Sequence, residues 1–169
     1  MLFRSERKSY AEQRISLVRD WVTDHNAAAK TVHFSSGGSL AYDKLVFALG
    51  ATPNRFGWEG INDVKDGLVH FVSMQDLDAC ERLTPTTREA IVVGGGLIGI
   101  ELVESLLYHG VKVTFLIREP YYWPLALARE EGDIVTEQLR AHGVDVRYME
   151  EMKRIEVDAS GRVSGVLTN

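Results

Sequence analysis

The sequence predicts an α/β fold containing a parallel sheet, and three observations lead there. An apolar strand, Ala90-Ile91-Val92-Val93, runs directly into the glycine-rich stretch Gly94-Gly95-Gly96-Leu97-Ile98-Gly99. Strand-like and helix-like segments then alternate up to Tyr148, and both helical segments end at a glycine, Gly110 and Gly143. The composition, 45% hydrophobic and 25% charged over 169 residues, is that of an ordinary globular chain able to build a core.

Taken in order, Ile15-Ser16-Leu17-Val18 and Trp21-Val22 read as short strands. Lys30 to Phe34 alternates, Ser35 to Ser39 is a turn carrying Gly37 and Gly38, and Leu40-Ala41-Tyr42 returns, so a small antiparallel meander is expected. Lys44 to Gly50 is nearly all apolar, the pattern of a strand buried on both faces, and Gly50 and Pro53 stop it. Residues 54–71 read as a connection. Ser73 with Asp76 forms a capping-box pattern opening a helix to about Leu83, which Pro85 closes. After the strand at 90–93, a helix is expected over Ile100–His109, a strand over Val111–Ile117, a charged helix to His142 and a strand over Val144–Tyr148. A hairpin of Arg154–Val157 and Val163–Leu167 follows, turning at Ala159-Ser160-Gly161, and no internal repeat is expected. The expected organisation is therefore 1–53, a connection at 54–71, and a second domain at 72–169.

Several function classes are disfavoured. The formal net charge is −5, and the early basic residues Arg4, Arg7, Lys8 and Arg14 are interleaved with Glu6 and Glu12, a solvated surface and no nucleic-acid patch. Cys80 is the single cysteine and sits among Asp76, Asp78 and Glu81, which disfavours the thiolate, so it reads as a half-buried helix thiol. The five histidines are scattered, and no metal is expected. Asp76 and Asp78 point to different faces of their helix and do not read as an acid/base pair, while Trp58 and Trp123 read as packing anchors. Met1-Leu2-Phe3 runs straight into charges, and the apolar stretch from Leu97 to Ile117 is broken by Glu101, Glu104, His109 and Lys112. Neither a signal peptide nor a membrane span is expected, and the cytoplasm is the default.

The glycine stretch carries the chemistry. A G-x-G-x-x-G directly after a strand and opening a helix is the dinucleotide-binding (Rossmann) fingerprint, whereas the bare pattern without that context is weak. Gly94 would allow the tight turn, Gly96 would let a pyrophosphate approach the backbone, and Gly99 would let helix and strand pack closely. The start of the helix offers free N–H groups and a partial positive charge to phosphates. Gly95, Leu97 and Ile98 complete the loop, and a methyltransferase-type site for another adenine-containing cofactor is the alternative. At the end of the next strand, Arg118 suits a 2′-phosphate through its planar fork of donors, while Glu119 suits the ribose hydroxyls of NADH. The balance is toward NADPH, with stacking of Arg118 over the adenine as the competing reading.

With Ile91 to Glu101 and the earlier segment Tyr42-Asp43-Lys44-Leu45-Val46-Phe47-Ala48-Leu49-Gly50-Ala51-Thr52-Pro53, the chain resembles the FAD-dependent pyridine-nucleotide oxidoreductases, in the branch of NADH oxidases, nitrite reductases and ferredoxin reductases. The resemblance implies a Rossmann-like NAD(P)-binding unit with a parallel sheet and β-meander, preceded by a partial FAD-domain β-meander. It implies that Ala48, Leu49 and Gly50 lie at the flavin, and that Glu101 lies near the nicotinamide and flavin, where the bland reading is an acid on the helix's first turn. Two residues depart from the family: Leu49 replaces its usual threonine, and Leu97 stands where an aromatic often gates the flavin.

No FAD glycine fingerprint precedes Tyr42, so the chain is expected to be an internal piece of a longer protein that holds FAD weakly by itself. The implied function is NAD(P)H binding for hydride transfer to flavin, with a protein or small-molecule electron acceptor unspecified. A non-enzymatic nucleotide-binding module and an inert fragment are the alternatives, and oligomeric state is open.

Overall fold

A strand exists only where its backbone finds partners, and this rule divides what forms here from what does not. The structure, a computed structural model, describes residues 7–169; the early charges Arg4 and Glu6 and the start Met1–Phe3 lie outside the described residues. The chain separates into two units, Met1–Gly50 and Ala51–Asn169.

The first unit carries helix α1 (Arg7–Glu12) and an antiparallel sheet of β1 (Val22–Asn26), β2 (Thr31–Phe34) and β3 (Ser39–Ala41) in the order β1-β2-β3. The expected meander at 30–42 is therefore present. The carboxylate of Asp20 fastens its turn, accepting from Ser35 Oγ at 2.7 Å, Ser36 Oγ at 2.5 Å and the Trp21 amide at 2.7 Å. Those donors hold the acid below its ordinary pKa, the Ser36 hydroxyl most of all.

Two expectations fail in this unit. Ile15–Val18 forms no strand, and the apolar run at 44–50 is neither a strand nor buried: Val46 is 84% exposed and Leu49 82%. The physical reason is the same in both places. An apolar run marks a preference for burial, but a strand also needs a ladder partner, and among the described residues neither segment has one.

The second unit is built on a parallel sheet of β4 (Glu89–Val93), β5 (Lys112–Ile117) and β6 (Asp145–Tyr148) in the order β4-β5-β6. Helix α2 (Met74–Leu83) precedes it, α3 (Leu97–Tyr108) links β4 to β5, and α4 (Arg129–Ala141) links β5 to β6. The hairpin β7 (Met152–Val157) and β8 (Val163–Thr168) follows. The residues from Trp58 to Leu68 are more than a connection: Ile61 packs with Met152 and Ile155, and Glu59 and Asp66 make single bridges to Arg154 and Arg162.

The capping box of α2 forms as its sequence suggests. Ser73 Oγ accepts from the Asp76 amide at 3.2 Å, and Asp76 accepts from the Ser73 amide at 2.8 Å. Helices α3 and α4 end alike. Gly110 and Gly143 adopt left-handed backbone (φ 76° and 84°), and Val111 and Val144 then donate back to Leu106 and Leu139. The matching stretches His109-Gly110-Val111 and His142-Gly143-Val144 thus close both helices in the same way, at the glycines where the sequence places their ends.

The larger core cluster, Val92, Val103, Val113, Phe115, Ile117, Tyr122, Leu139, Val144 and Val146, joins alternate residues of the strands to α3 and α4. Here β4 corrects the expectation of a buried strand. It is an edge strand, and Ile91 and Val93, which alternate with buried Val92, remain 42% and 41% exposed. Phe115 has no solvent exposure, so Phe115→Ala is expected to cost about 3–5 kcal/mol. Leu49→Ala, on the exposed segment, is expected to stay within about 0.5 kcal/mol. Urea unfolding of the two variants checks the contrast, and equal losses would contradict it.

Candidate dinucleotide site

The turn between β4 and α3 is formed by backbone with hardly any side chain. Gly94 extends the sheet by one bond, its amide donating to the Leu116 carbonyl at 3.0 Å, and then turns at φ 112°. A β-carbon on Gly99 would stand 2.1 Å from the Gly94 carbonyl oxygen and 3.1 Å from the Phe115 ring, so helix and turn touch there. Gly95 has a packing role that sequence reasoning missed: its β-carbon would meet Ile117 at 2.7 Å. Only the tertiary placement of Ile117 reveals this. Nothing lies within 4 Å of where a β-carbon on Gly94 or Gly96 would point, but Gly94 is tied to glycine by its positive φ, whereas Gly96 has ordinary extended backbone (φ −107°) and is bounded by neither strain nor contact.

Gly96 is also the residue at the head of α3, and its carbonyl accepts the first helical bond, from Ile100, at 3.2 Å. The amides of Leu97, Ile98 and Gly99 therefore have no intrahelical acceptor. They stand at the positive end of the helix, beside the space left by Gly96. Leu97 and Ile98 are 57% and 61% exposed, an apolar wall beside a polar backbone. The loop opens into a groove of about 1720 Å³ whose lining includes Gly94–Ile98, Arg118, Glu119 and Trp123.

The far side of the groove is the segment after β5. Arg118 donates from Nε to Glu119 at 2.9 Å, so Glu119 engages the arginine beside it. That bond raises the Arg118 pKa further. Trp123 packs against the core from a left-handed backbone (φ 52°), and Trp58 packs on the smaller cluster of Ile61, Met152 and Ile155, both as anchors. The segment is held by Tyr122, which is 2% exposed and whose hydroxyl is pushed up by burial, then by Tyr148 and Glu101. Gly132 in α4 makes room for it, since a β-carbon there would stand 2.8 Å from the Tyr122 carbonyl oxygen.

The remaining candidates fall differently. Because α3 begins at Leu97, Glu101 lies in its second turn and not its first, and it is exposed. Helix numbering that starts after Gly99 misplaces it, since α3 includes that glycine. Ala48, Leu49 and Gly50 belong to the first unit and are exposed coil, and no glycine-rich strand-to-helix turn occurs among the described residues of that unit. Cys80 is half-buried, and burial, then Asp76, raises its thiol pKa. Among the described residues no helix is long and apolar enough to cross a membrane.

The strand, glycine turn and helix of the second unit define a dinucleotide-binding class of α/β protein. The comparisons give the family. The model of the pyridine nucleotide-disulphide oxidoreductases matches residues 4–169, and the chain belongs to that family, whose members use FAD and NAD(P)H. It is 31% identical over 132 residues to the ferredoxin reductase subunit of 5,5'-dehydrodivanillate O-demethylase from Sphingobium sp., covering 78% of this chain and 32% of that protein. It is 34% identical over 133 residues to the CoA-dependent NAD(P)H sulfur oxidoreductase of Pyrococcus abyssi, covering 78% of this chain and 29% of that one. The chain thus spans about a third of the length of the curated relatives it matches. A ferredoxin reductase structure from Rhodopseudomonas palustris superposes with a TM-score of 0.89 at 21% identity, over 99% of this chain and 41% of that one, and shares the fold.

Two outcomes are expected from this geometry. Gly99→Val is expected to destabilise the fold, because its β-carbon meets backbone, whereas Gly96→Val is expected to keep the wild-type melting temperature and lose nucleotide binding. Thermal melts with nucleotide titration of both variants separate the two roles, and a Gly96→Val protein that binds normally would contradict the assignment. Cys80, with its raised pKa, is expected to be alkylated slowly at pH 7 while folded, faster as pH rises beyond the ordinary thiol range, and fast in urea. Rapid labelling of the folded chain at pH 7 would show a thiolate instead.

Proposed function

We propose that this chain supplies the NAD(P)H-binding part of an FAD-dependent oxidoreductase, with the pyrophosphate held at Gly94–Gly99. The observation that carries the reading is the open position of Gly96 at the head of α3, among amides with no intrahelical acceptor. Gly94, Gly95 and Gly99 shape the turn, and the amides of Leu97 and Ile98 are donors to the phosphates. The exposed Leu97 and Ile98 side chains offer an apolar wall. In this reading Glu101 serves the nicotinamide end, as the family resemblance implies, and Arg118 and Glu119 serve the adenosine ribose. When bound, the reduced nicotinamide supplies a hydride and the family's flavin accepts it.

The charges at the adenosine end favour NADPH. Glu119 is occupied by Arg118 Nε and so is not a free carboxylate facing a phosphate, and the arginine's terminal nitrogens remain for a bidentate contact. A second reading, a dinucleotide-binding module without redox turnover, draws on the exposed, strandless residues 44–50. Added FAD reduced by NADPH only in the presence of the chain would decide against that reading.

Arg118→Ala is expected to weaken NADPH binding by about 1.5–3 kcal/mol, the range for hydrogen bonds to charged groups, with NADH hardly changed. Calorimetric titration of both nucleotides measures this. Equal losses would indicate stacking on the adenine, and a wild type that prefers NADH would put selectivity on Glu119.

A further inference from the structure

Arg118 is not the only cation at its end of the groove. Two backbone hydrogen bonds, from the Met149 amide to the Glu119 carbonyl at 3.2 Å and from the Glu150 amide to the Ile117 carbonyl at 3.3 Å, lay the start of the hairpin against the end of β5. They bring Glu151 into electrostatic range of Arg118. Lys153, on β7, donates from Nζ to the Glu151 carboxylate and is itself 54% exposed. The groove that contains the glycine loop is lined by Arg118, Glu119, Glu151 and Lys153 together. Glu150 is occupied elsewhere, accepting from Thr168 Oγ1 at 2.7 Å and from Arg147 at 3.4 Å.

Each cation in this group has its own carboxylate and keeps donors in reserve. Arg118 spends only Nε on Glu119, and among the described residues its terminal nitrogens have no partner. An ammonium has three donors, of which the bond to Glu151 uses one. We infer that Lys153 is a second specificity-determining residue for NADPH, closing on the 2′-phosphate from the hairpin while Arg118 closes from β5. Glu119 and Glu151 are positioning residues that hold the two cations. The inference rests on the reading of Gly94–Gly99 as the pyrophosphate site.

The unspent donors give the reason. A phosphate monoester brings about −1.5 to −2 charges and three acceptor oxygens at pH 7, and although Glu119 and Glu151 leave the group neutral overall, Arg118 and Lys153 keep N–H donors that can meet those oxygens. Without the phosphate, two cations and two carboxylates cancel, so the group offers NADH no net charge. The sequence hides the pairing, because Lys153 lies far along the chain from Arg118 and reaches it only through the two backbone bonds.

The test uses the full chain and measures affinities for NADPH and NADH in the wild type, Lys153→Met, Lys153→Arg and Glu151→Gln. Lys153→Met is expected to lower NADPH affinity about 5–10-fold, somewhat below the range for charged contacts because the site is exposed, with NADH within about twofold. Lys153→Arg is expected to restore most of the loss, and added salt to weaken NADPH more than NADH in the wild type. Glu151→Gln, which frees Lys153 from its tether, is expected to change NADPH affinity and leave NADH alone. Melting temperatures should stay at the wild-type value, since both side chains are largely exposed. An unchanged NADPH-to-NADH ratio in Lys153→Met, with both nucleotides still binding, would overturn this inference alone. A wild type that binds neither nucleotide would overturn the pyrophosphate reading beneath it.

Discussion

The contact between Gly99 and the Gly94 carbonyl sets the geometry of the second unit. With 2.1 Å between that oxygen and the place a β-carbon would take, the first turn of α3 lies directly on the end of β4, with the Phe115 ring as its floor. A longer connection would lift the helix away, and its free amides would then face solvent instead of the mouth of the sheet. The contact also frees Gly96 from structural duty. Gly94 makes the turn with its positive φ, Gly95 fits over Ile117 and Gly99 seats the helix, so of the four only Gly96 combines ordinary backbone with open space. Phe115 and Ile117 are both fully buried on β5, so the glycine loop rests on close-packed core side chains.

The opposite wall is held by different means. Tyr122 is buried beneath the segment that follows β5, and Gly132 lets the Tyr122 backbone approach α4 closely. Thr136 and Tyr148 share a hydrogen bond of 2.5 Å, and Thr136 also donates to the Gly132 carbonyl, so α4 and β6 are joined at the same level. Tyr121 adds a face for Arg129 at 5.8 Å. Arg118 and Trp123 thus project from a segment fixed beneath by an aromatic side chain, with the left-handed backbone of Trp123 as the local strain that this anchoring sustains.

Most of the second unit could be read from its residues, because its signals are local. The capping pair Ser73 and Asp76, the glycines that end α3 and α4, and the junction of strand and glycine loop each act within a few residues. What could not be read depends on neighbours distant in sequence. Residues 44–50 have the composition of a buried strand and are exposed coil, because composition does not supply a ladder. Ile91 and Val93 look like core and are exposed, because edge position is decided by the sheet and not by the strand. Gly95 looks like filler until Ile117 is seen beneath it, and Lys153 gives no sign of belonging with Arg118. Glu101 was misplaced by a turn for a local reason, the inclusion of Gly99 in the helix.

Under the proposed reading, affinity and selectivity reside in different materials. The pyrophosphate is common to NADH and NADPH, and the loop meets it with backbone amides and a helix terminus, with no charged side chain between Gly94 and Ile100. Such dipoles are fixed by the fold and do not distinguish the two nucleotides. The difference between the nucleotides lies at the ribose, and there the wall changes character to Arg118, Glu119, Glu151 and Lys153, exposed side chains whose contacts with one another are salt-sensitive. Substitutions on that rim can alter preference without disturbing the turn, whereas Gly95 and Gly99 cannot change without pressing on β5, nor Gly94 without straining its left-handed backbone. On that reading, one fold can serve either nucleotide, because the shared group meets the backbone and the variable group meets the surface side chains.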